Sequence, residues 1–487
     1  MNRSIQKLFF IVIVLFALLV IWTSRWTVLD ASGLEHNSLN KLALYQTWTI
    51  KRGRILAADG TVLAASVAAG RGTWRRRYPT GPLFAQAVGY ANVEQGQFAG
   101  LERAHNAVLT ATQESTLGSV FGPISESSVG DDLYTTLDPR AQALARTLLA
   151  GRVGSVVAIV PQTGAVPVMY SNPSYDPLNP RACGNQQIDG IGCQVNLATQ
   201  ARMPPGSTFK IVTTAAALDT GRYTPSTLID GKSPLIVSGA PLENDGNASY
   251  GQVPLSFALT NSINTVYAQV GQSLGAATMQ TYMHRFGFYS DPPLDYPRDQ
   301  MVASGDLNEV HGGLLEPTAP PGASFGDTVD LGRMSIGQDK LGVTPLQMAM
   351  VAAAIANSGT LMTPHFVTKV VAPDGQIVST VAPHVYSHVV KAPVAREMWT
   401  MMQSVVEEGT GTKANLEGLN AAGKTGTASI GATGSNIDDA WFIGFAPATD
   451  PKIAVAVEIN HIVNGYGGTY AAPVAAQMMK TLLAEGL

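Results

Sequence analysis

Met203-Pro204-Pro205-Gly206-Ser207-Thr208-Phe209-Lys210, continuing through Ile211 to Leu218, is the stretch on which the reading of this chain turns. Two prolines and a glycine break the backbone before Ser207. The run from Phe209 to Leu218 is then apolar and alanine-rich, interrupted only by Lys210 and two threonines. That pattern predicts a buried helix beginning at the serine. A spacing of three puts Ser207 and Lys210 on one face, with the amine beside the hydroxyl. The first turn of a helix also has unpaired backbone N–H groups, so the Ser207 N–H is suited to an oxyanion hole. A serine is a weak nucleophile until a base takes its proton, and a lysine does so only if its pKa falls from ~10.4 towards neutrality. Burial and a second cation nearby both act in that direction. Taken alone, S-x-x-K recurs by chance in many chains, so its context has to carry the assignment.

Two more segments supply that context. Asn261-Ser262-Ile263-Asn264 stands between two helical stretches. Ser262 is placed to pass a proton between Lys210 and an amine, and the Asn264 amide to bind a substrate carbonyl or to hold Lys210. Gly423-Lys424-Thr425-Gly426-Thr427-Ala428-Ser429-Ile430 reads as a strand, with 440–446 and 452–459 as its successors in an antiparallel meander. A glycine inside the first strand lets a substrate backbone approach its edge. With Gly426 as the substrate-binding glycine between them, Lys424, Thr425 and Thr427 are then expected to meet a terminal carboxylate, and the Thr427 N–H to complete the oxyanion hole with that of Ser207. Lys424 is also the expected second cation beside Lys210.

These motifs, in this order, are recognised as those of penicillin-binding proteins and class A β-lactamases. Further segments make the chain similar to class B penicillin-binding proteins over nearly its whole length. They include the Arg-Gly-x-Ile stretch at 52–55 followed by Asp59-Gly60 and Leu63-Ala64, the segment 96–102, Ser335-Ile336-Gly337-Gln338, and 440–447. Its length and compact front half are most similar to the short actinobacterial form of that family. The resemblance implies an α+β fold. A β-lactamase-like serine transpeptidase domain, with a central antiparallel sheet flanked by helices, would stand on a mixed α/β pedestal behind one N-terminal transmembrane helix. It also implies that Ser207 attacks the penultimate D-Ala carbonyl of a peptidoglycan stem peptide, and that an amine of a neighbouring stem resolves the acyl-enzyme. Penicillin and other β-lactams would trap Ser207, no cofactor is expected, and a multispanning membrane glycan polymerase is the expected partner in cell-wall growth. Rival readings are a D,D-carboxypeptidase or a β-lactamase using the same site, and a penicillin-binding sensor or scaffold. No Glu-x-x-Leu-Asn segment supplies a deacylating base, and no catalytic position is lost.

The flanks fit an exported enzyme. Leu8 to Trp22 is 15 uninterrupted apolar residues, preceded by Arg3 and Lys7, at the short end of what spans a bilayer. No small-x-small cleavage site follows it, so an uncleaved anchor over 8–24 is expected, in contact with membrane lipid. Its basic flank keeps residues 1–7 cytoplasmic and places the rest outside a bacterial cell membrane. The boundary between pedestal and catalytic domain is expected near 150, at a helix opened by Asp138-Pro139, giving units of 25–150 and 151–487. The 487 residues carry a formal charge of −4, with 45% hydrophobic and 14% charged content. Those values exclude wholesale disorder and argue against a nucleic-acid partner. Cys183 and Cys193 permit a local disulfide in an oxidising space, while two free thiols remain the alternative. No metal motif occurs among the eight histidines. Arg71, Arg75, Arg76 and Arg77 read as a solvated or intra-pedestal charge face rather than a polyanion site.

Overall fold

In the computed structural model, residues 3–25, 48–111, 129–183, 187–188, 191–306, 329–430 and 436–486 are described. Most of the stretch 290–330 and the segment following the N-terminal helix lie outside them. The N-terminal helix spans Arg3–Ser24 and buries none of its residues against the rest of the chain. At 1.5 Å per residue it is about 33 Å long, enough to cross a hydrocarbon core. Its apolar surface is continuous around the axis, as a membrane-spanning helix requires.

A five-stranded antiparallel sheet organises the larger part of the chain. Its order is Ala422–Ser429, Ile437–Ala446, Ile453–Val463, Gly154–Ile159 and Val168–Asn172. The expected meander is thus joined to the hairpin of Gly154–Ile159 and Val168–Asn172 in one sheet, because Ala454 to Ile459 pair with Ile159 to Gly154. Alternation along the strands feeds two cores. Val156, Ala158, Val455 and Val457 face the C-terminal helix Gly467–Ala484 and the helix Pro139–Leu149. Val157, Ile159, Trp441, Ile443 and Ala456 face the helices Lys210–Asp219, Pro345–Ala356 and Ala392–Glu407. All twelve residues of Pro345–Ala356 are buried, so this helix fills the middle of the domain.

The helix Pro139–Leu149 starts as its sequence predicts, with Asp138 accepting from the N–H groups of Arg140 and Ala141. The Asp59-Gly60 turn also forms, with Gly60 at φ +84° and Asp59 accepting from the Thr61 N–H. A feature not legible beforehand is the make-up of the front sheet. It runs in the order Ile377–Thr380, Val367–Val371, Asp132–Thr135, Ile55–Leu56, Val62–Gly70, Thr73–Arg77, so a late hairpin completes a sheet begun in the first part of the chain. Pairing across more than 200 residues leaves no local signature. Cys183 and Cys193, whose Cα atoms lie 6.4 Å apart, are joined as a disulfide.

Of the four clustered arginines, only Arg76 turns inward. It and Arg52 share the fully buried Glu102, Arg52 through Nε at 3.2 Å and NH2 at 2.9 Å, Arg76 through Nε. Burial alone would raise the Glu102 carboxyl, but the two guanidiniums outweigh it and hold the group below its usual value. Replacing Glu102 by Ala leaves two cations facing each other in the interior. The expected cost is about 3 kcal/mol or more of stability, measurable as a lowered urea midpoint; an unchanged midpoint would show that the cluster contributes nothing.

The opposite case is Glu458, on the central strand with its neighbours Asp439 and Asn460. Burial first, and then the Asp439 charge, push its carboxyl well above the usual range, while burial lifts Asp439 to about 6. A raised carboxyl keeps its proton in the folded state, so stability falls as pH rises from about 4.5 through the folded-state value. Glu458→Gln is expected to flatten that slope by up to ~1.4 kcal/mol per pH unit. Thermal unfolding between pH 4.5 and 7.5 reads it, and identical slopes for both proteins would refute it.

Candidate active site

The three sequence motifs meet at one cavity of about 1000 Å³, whose wall includes Ser207, Ser262, Asn264, Thr425 and Thr427. Three elements supply them: the turn before the helix Lys210–Asp219, the link between the helices Leu255–Thr260 and Asn264–Leu274, and the edge strand Ala422–Ser429.

Ser207 lies one turn earlier than the α-helix proper. Gly206–Phe209 form a 3₁₀ turn that leads into the helix at Lys210, and Thr208 Oγ1 donates to Pro205 O at 2.8 Å. The tighter turn follows from crowding by two other segments. Gly206 takes φ +51°, and its N–H donates to Gly337 O at 2.9 Å. A Cβ there would collide with Thr427, whose O and N would lie 2.5 and 3.0 Å away. The backbone of Thr427 therefore runs directly against the residue preceding Ser207.

Lys210 is wholly buried, and its Nζ has three partners: Ser262 O at 2.7 Å, Ser262 Oγ at 3.1 Å and Asn264 Oδ1 at 2.7 Å. Its Nζ sits over the Tyr267 ring, 5.6 Å from the centroid, and Tyr267 OH is fixed by Thr214 Oγ1 at 2.8 Å. Burial drives the Lys210 pKa well below its ordinary value, the Lys424 cation adds to the fall, and Asp245 opposes it. Ser262 holds φ +57°, a conformation uncommon for a residue with a Cβ. That conformation turns both its carbonyl and its hydroxyl towards Lys210. The Lys210 amine thus donates to Ser262 and Asn264, partners that the spacing alone did not identify. Asn264 is also turned by its other end, Nδ2 donating to Glu243 O at 3.0 Å.

The edge strand contributes two faces. Thr425, Thr427 and Ser429 line the cavity, whereas Lys424 and Gly426 turn into the protein. Lys424 is fully buried, its Nζ donates to Thr425 O at 3.1 Å, and burial lowers its pKa to about 7. Gly426 is small for an internal reason: a Cβ would meet Pro205 O at 2.6 Å and Thr208 Cγ2 at 2.9 Å. A side chain at 426 would thus collide with the turn that carries Ser207. Thr427 Oγ1 accepts from the N–H of Gly467, the first residue of the C-terminal helix, at 3.2 Å.

Several wall residues were not singled out from the sequence. Thr410 Oγ1 shares a 2.6 Å hydrogen bond with Thr425 Oγ1, and Thr412, Lys413, Gly468 and Thr469 complete that side. The run Gly409-Thr410-Gly411-Thr412 after a long amphipathic stretch was the available signal. Opposite it, Asn244 holds the Thr265 N–H at 3.0 Å, anchoring the loop 243–247 over Asn264. Among the described residues no group of metal-ligating side chains forms.

Comparison with known proteins agrees with this geometry. Residues 154–480 match the family model "Penicillin binding protein transpeptidase domain", and residues 52–125 match "Penicillin binding protein A dimerisation domain". The chain is 34% identical to peptidoglycan D,D-transpeptidase PbpA of Mycolicibacterium smegmatis over 100% of both chains. It is 32% identical to the same-named protein of Mycobacterium tuberculosis over 99% of both. Among solved structures it is similar to penicillin-binding protein A from M. tuberculosis in a ceftriaxone acyl-enzyme complex. There the TM-score is 0.77 at 30% identity, covering 90% of this chain and 100% of that one. A D,D-transpeptidase domain from Eggerthella lenta gives 0.75 at 32% identity, covering 90% and 99%. With a family match over two thirds of its length and full-length relatives above 30% identity, this chain belongs to the penicillin-binding protein transpeptidase family.

Proposed function

We propose that Ser207 is the acyl-accepting nucleophile, Lys210 its general base and Ser262 the proton shuttle of a peptidoglycan D,D-transpeptidase. One observation carries this reading. A buried lysine of depressed pKa, hydrogen-bonded to Ser262, underlies the cavity that Ser207 lines. Lys210 in its neutral form takes the Ser207 Oγ proton as Oγ attacks the penultimate D-Ala carbonyl of a stem peptide. The N–H groups of Ser207 and Thr427 receive the oxyanion. Ser262 passes the proton to the departing D-Ala amine, and an acyl-enzyme remains. An amine of a second stem then attacks the ester carbonyl and yields its proton along the same path, which restores Ser207 and forms the cross-link. Asn264 positions Lys210. Thr425 and Thr427 bind the substrate's terminal carboxylate, while Lys424 acts from below by its charge on Lys210. A β-lactam acylates Ser207 in the same manner, but its amine stays tethered to the acyl group and blocks the second step.

The chain divides in this reading into a membrane anchor at 8–24, a pedestal at 25–150 and the transpeptidase domain at 151–487. The basic residues Arg3 and Lys7 favour a cytoplasmic N-terminus with the catalytic domain outside. Having no polymerising activity of its own in this reading, the protein acts beside a multispanning membrane glycan polymerase. Digestion and mass spectrometry of the full-length protein after exposure to penicillin test the chemistry. The expected result is one penicilloyl group on the peptide containing Ser207, persisting for many minutes. Rapid loss as penicilloic acid would indicate a β-lactamase instead, and an adduct on another residue, or none, would overturn the reading.

A further inference from the structure

The carboxylate that this cavity has to accept meets an unusual distribution of charge. Three acidic side chains, Glu243, Asp245 and Asp438, line the cavity, while the two lysines of the motifs do not reach its wall. Lys210 and Lys424 are both fully buried, and Lys424 spends its ammonium on Thr425 O with a pKa near 7. Lys413 is the one lysine or arginine in the wall among the described residues. It is exposed, in the 3₁₀ turn Thr412–Ala414, and its Nζ lies 3.4 Å from Thr469 Oγ1. From Thr469 a short path leads to the motif strand: a Cβ on the adjacent Gly468 would lie 3.6 Å from Thr425 Cγ2. Thr425 is in turn bonded to Thr410. Lys413 therefore stands on the same side of the cavity as the hydroxyls that face the substrate's end.

We infer that Lys413 is a substrate-binding residue that supplies the accessible positive charge for the C-terminal carboxylate of the donor stem peptide, and for the equivalent carboxylate of a β-lactam. This rests on the active-site assignment above and deepens it. Thr425 and Thr427 provide hydrogen bonds that fix the carboxylate's position. Lys413 provides the attraction that offsets the acidic wall. Its flexible stem and weak 3.4 Å hold on Thr469 leave the ammonium free to move onto an incoming anion. The selectivity that follows is for substrates ending in a free carboxylate over those in which it is masked.

The test uses full-length protein and two acylating probes, a fluorescent penicillin and its methyl ester, in which the carboxylate is masked. The quantity read is the ratio of their second-order acylation rates. For Lys413→Gln the ratio is expected to fall about tenfold, the usual worth of one charge-assisted contact. Lys413→Arg is expected to restore most of it, and added salt to reduce the wild-type ratio more than that of the glutamine variant. Because the ratio is internal to each protein, partial misfolding does not move it. An unchanged ratio in Lys413→Gln, with the wild-type protein still labelled on Ser207, would overturn this inference alone. Failure of the wild-type protein to be labelled at Ser207 would instead overturn the active-site assignment.

Discussion

Ser207→Ala is expected to remove covalent labelling by penicillin entirely, to the background of the assay, while leaving the fold intact. The loss is complete rather than partial because the product measured is an ester on that oxygen, and no second hydroxyl occupies its place. Ser262 is the other motif serine in the cavity wall, but its hydroxyl already serves Lys210 and sits on a strained backbone at φ +57°. The substitution removes one oxygen from a half-buried position and leaves the Gly206–Phe209 turn with its Gly337 and Thr208 contacts. Circular dichroism and thermal unfolding should therefore match the parent. Residual labelling above about one per cent of wild type would move the nucleophile elsewhere. A lost thermal transition would mean that the variant had tested folding instead, in which case Ser207→Cys supplies the check, with altered acylation kinetics in a folded protein.

Lys210→Met is expected to slow acylation on the order of 10³- to 10⁴-fold, the upper part of the range for a general base. Methionine, apolar and unbranched like the lysine stem, preserves much of the stem's packing within the buried helix. The change therefore removes chiefly the amine and leaves Asn264 Oδ1 and the Ser262 carbonyl without their donor. In the wild-type protein, acylation should rise with pH as Lys210 deprotonates, with a midpoint well below that of an ordinary lysine, since burial and Lys424 both oppose its charge. Lys424, itself lowered to about 7 by burial, contributes to the same profile, so the observed midpoint belongs to the pair. In Lys210→Met the rising limb should vanish along with the rate. A variant that kept the wild-type pH profile, or lost less than tenfold in rate, would remove Lys210 from the role of base and leave it a structural cation.

The contrast between the two lysines shows how far spacing alone carries an argument. S-x-x-K correctly put Ser207 and Lys210 on one segment. It did not show that the lysine's hydrogen bonds go to Ser262 and Asn264, because those partners arrive from 52 and 54 residues downstream. In the same way Lys-Thr-Gly-Thr announced an edge strand. Which of its side chains face the cavity depended on which face of the sheet the Ser207 helix covers. With that face covered, period-two alternation sends Thr425 and Thr427 to the cavity and Lys424 and Gly426 inward. Thr410, Lys413 and Thr469 were silent in the sequence for a related reason. They sit at the ends of elements whose final positions are set by packing against the sheet, and common residue types at such places have no periodic signal.

What the sequence determined by itself was everything that depends on local order. The apolar anchor over 8–24, the proline-opened helix at 139, the alternating strands, the Asp59-Gly60 turn and the three motifs in their sequence order are each set by neighbours within a few residues. Only the tertiary structure decided the rest: the joining of Gly154–Ile159 to Ile453–Val463, the late hairpin of the front sheet, the inward turn of Arg76 onto Glu102, and the cation placed at the cavity wall. The physical reason is common to all four. Each is a contact between segments far apart in the chain, stabilised by burying surface or charge that neither segment can bury alone, and no short-range pattern encodes which distant partner will be met.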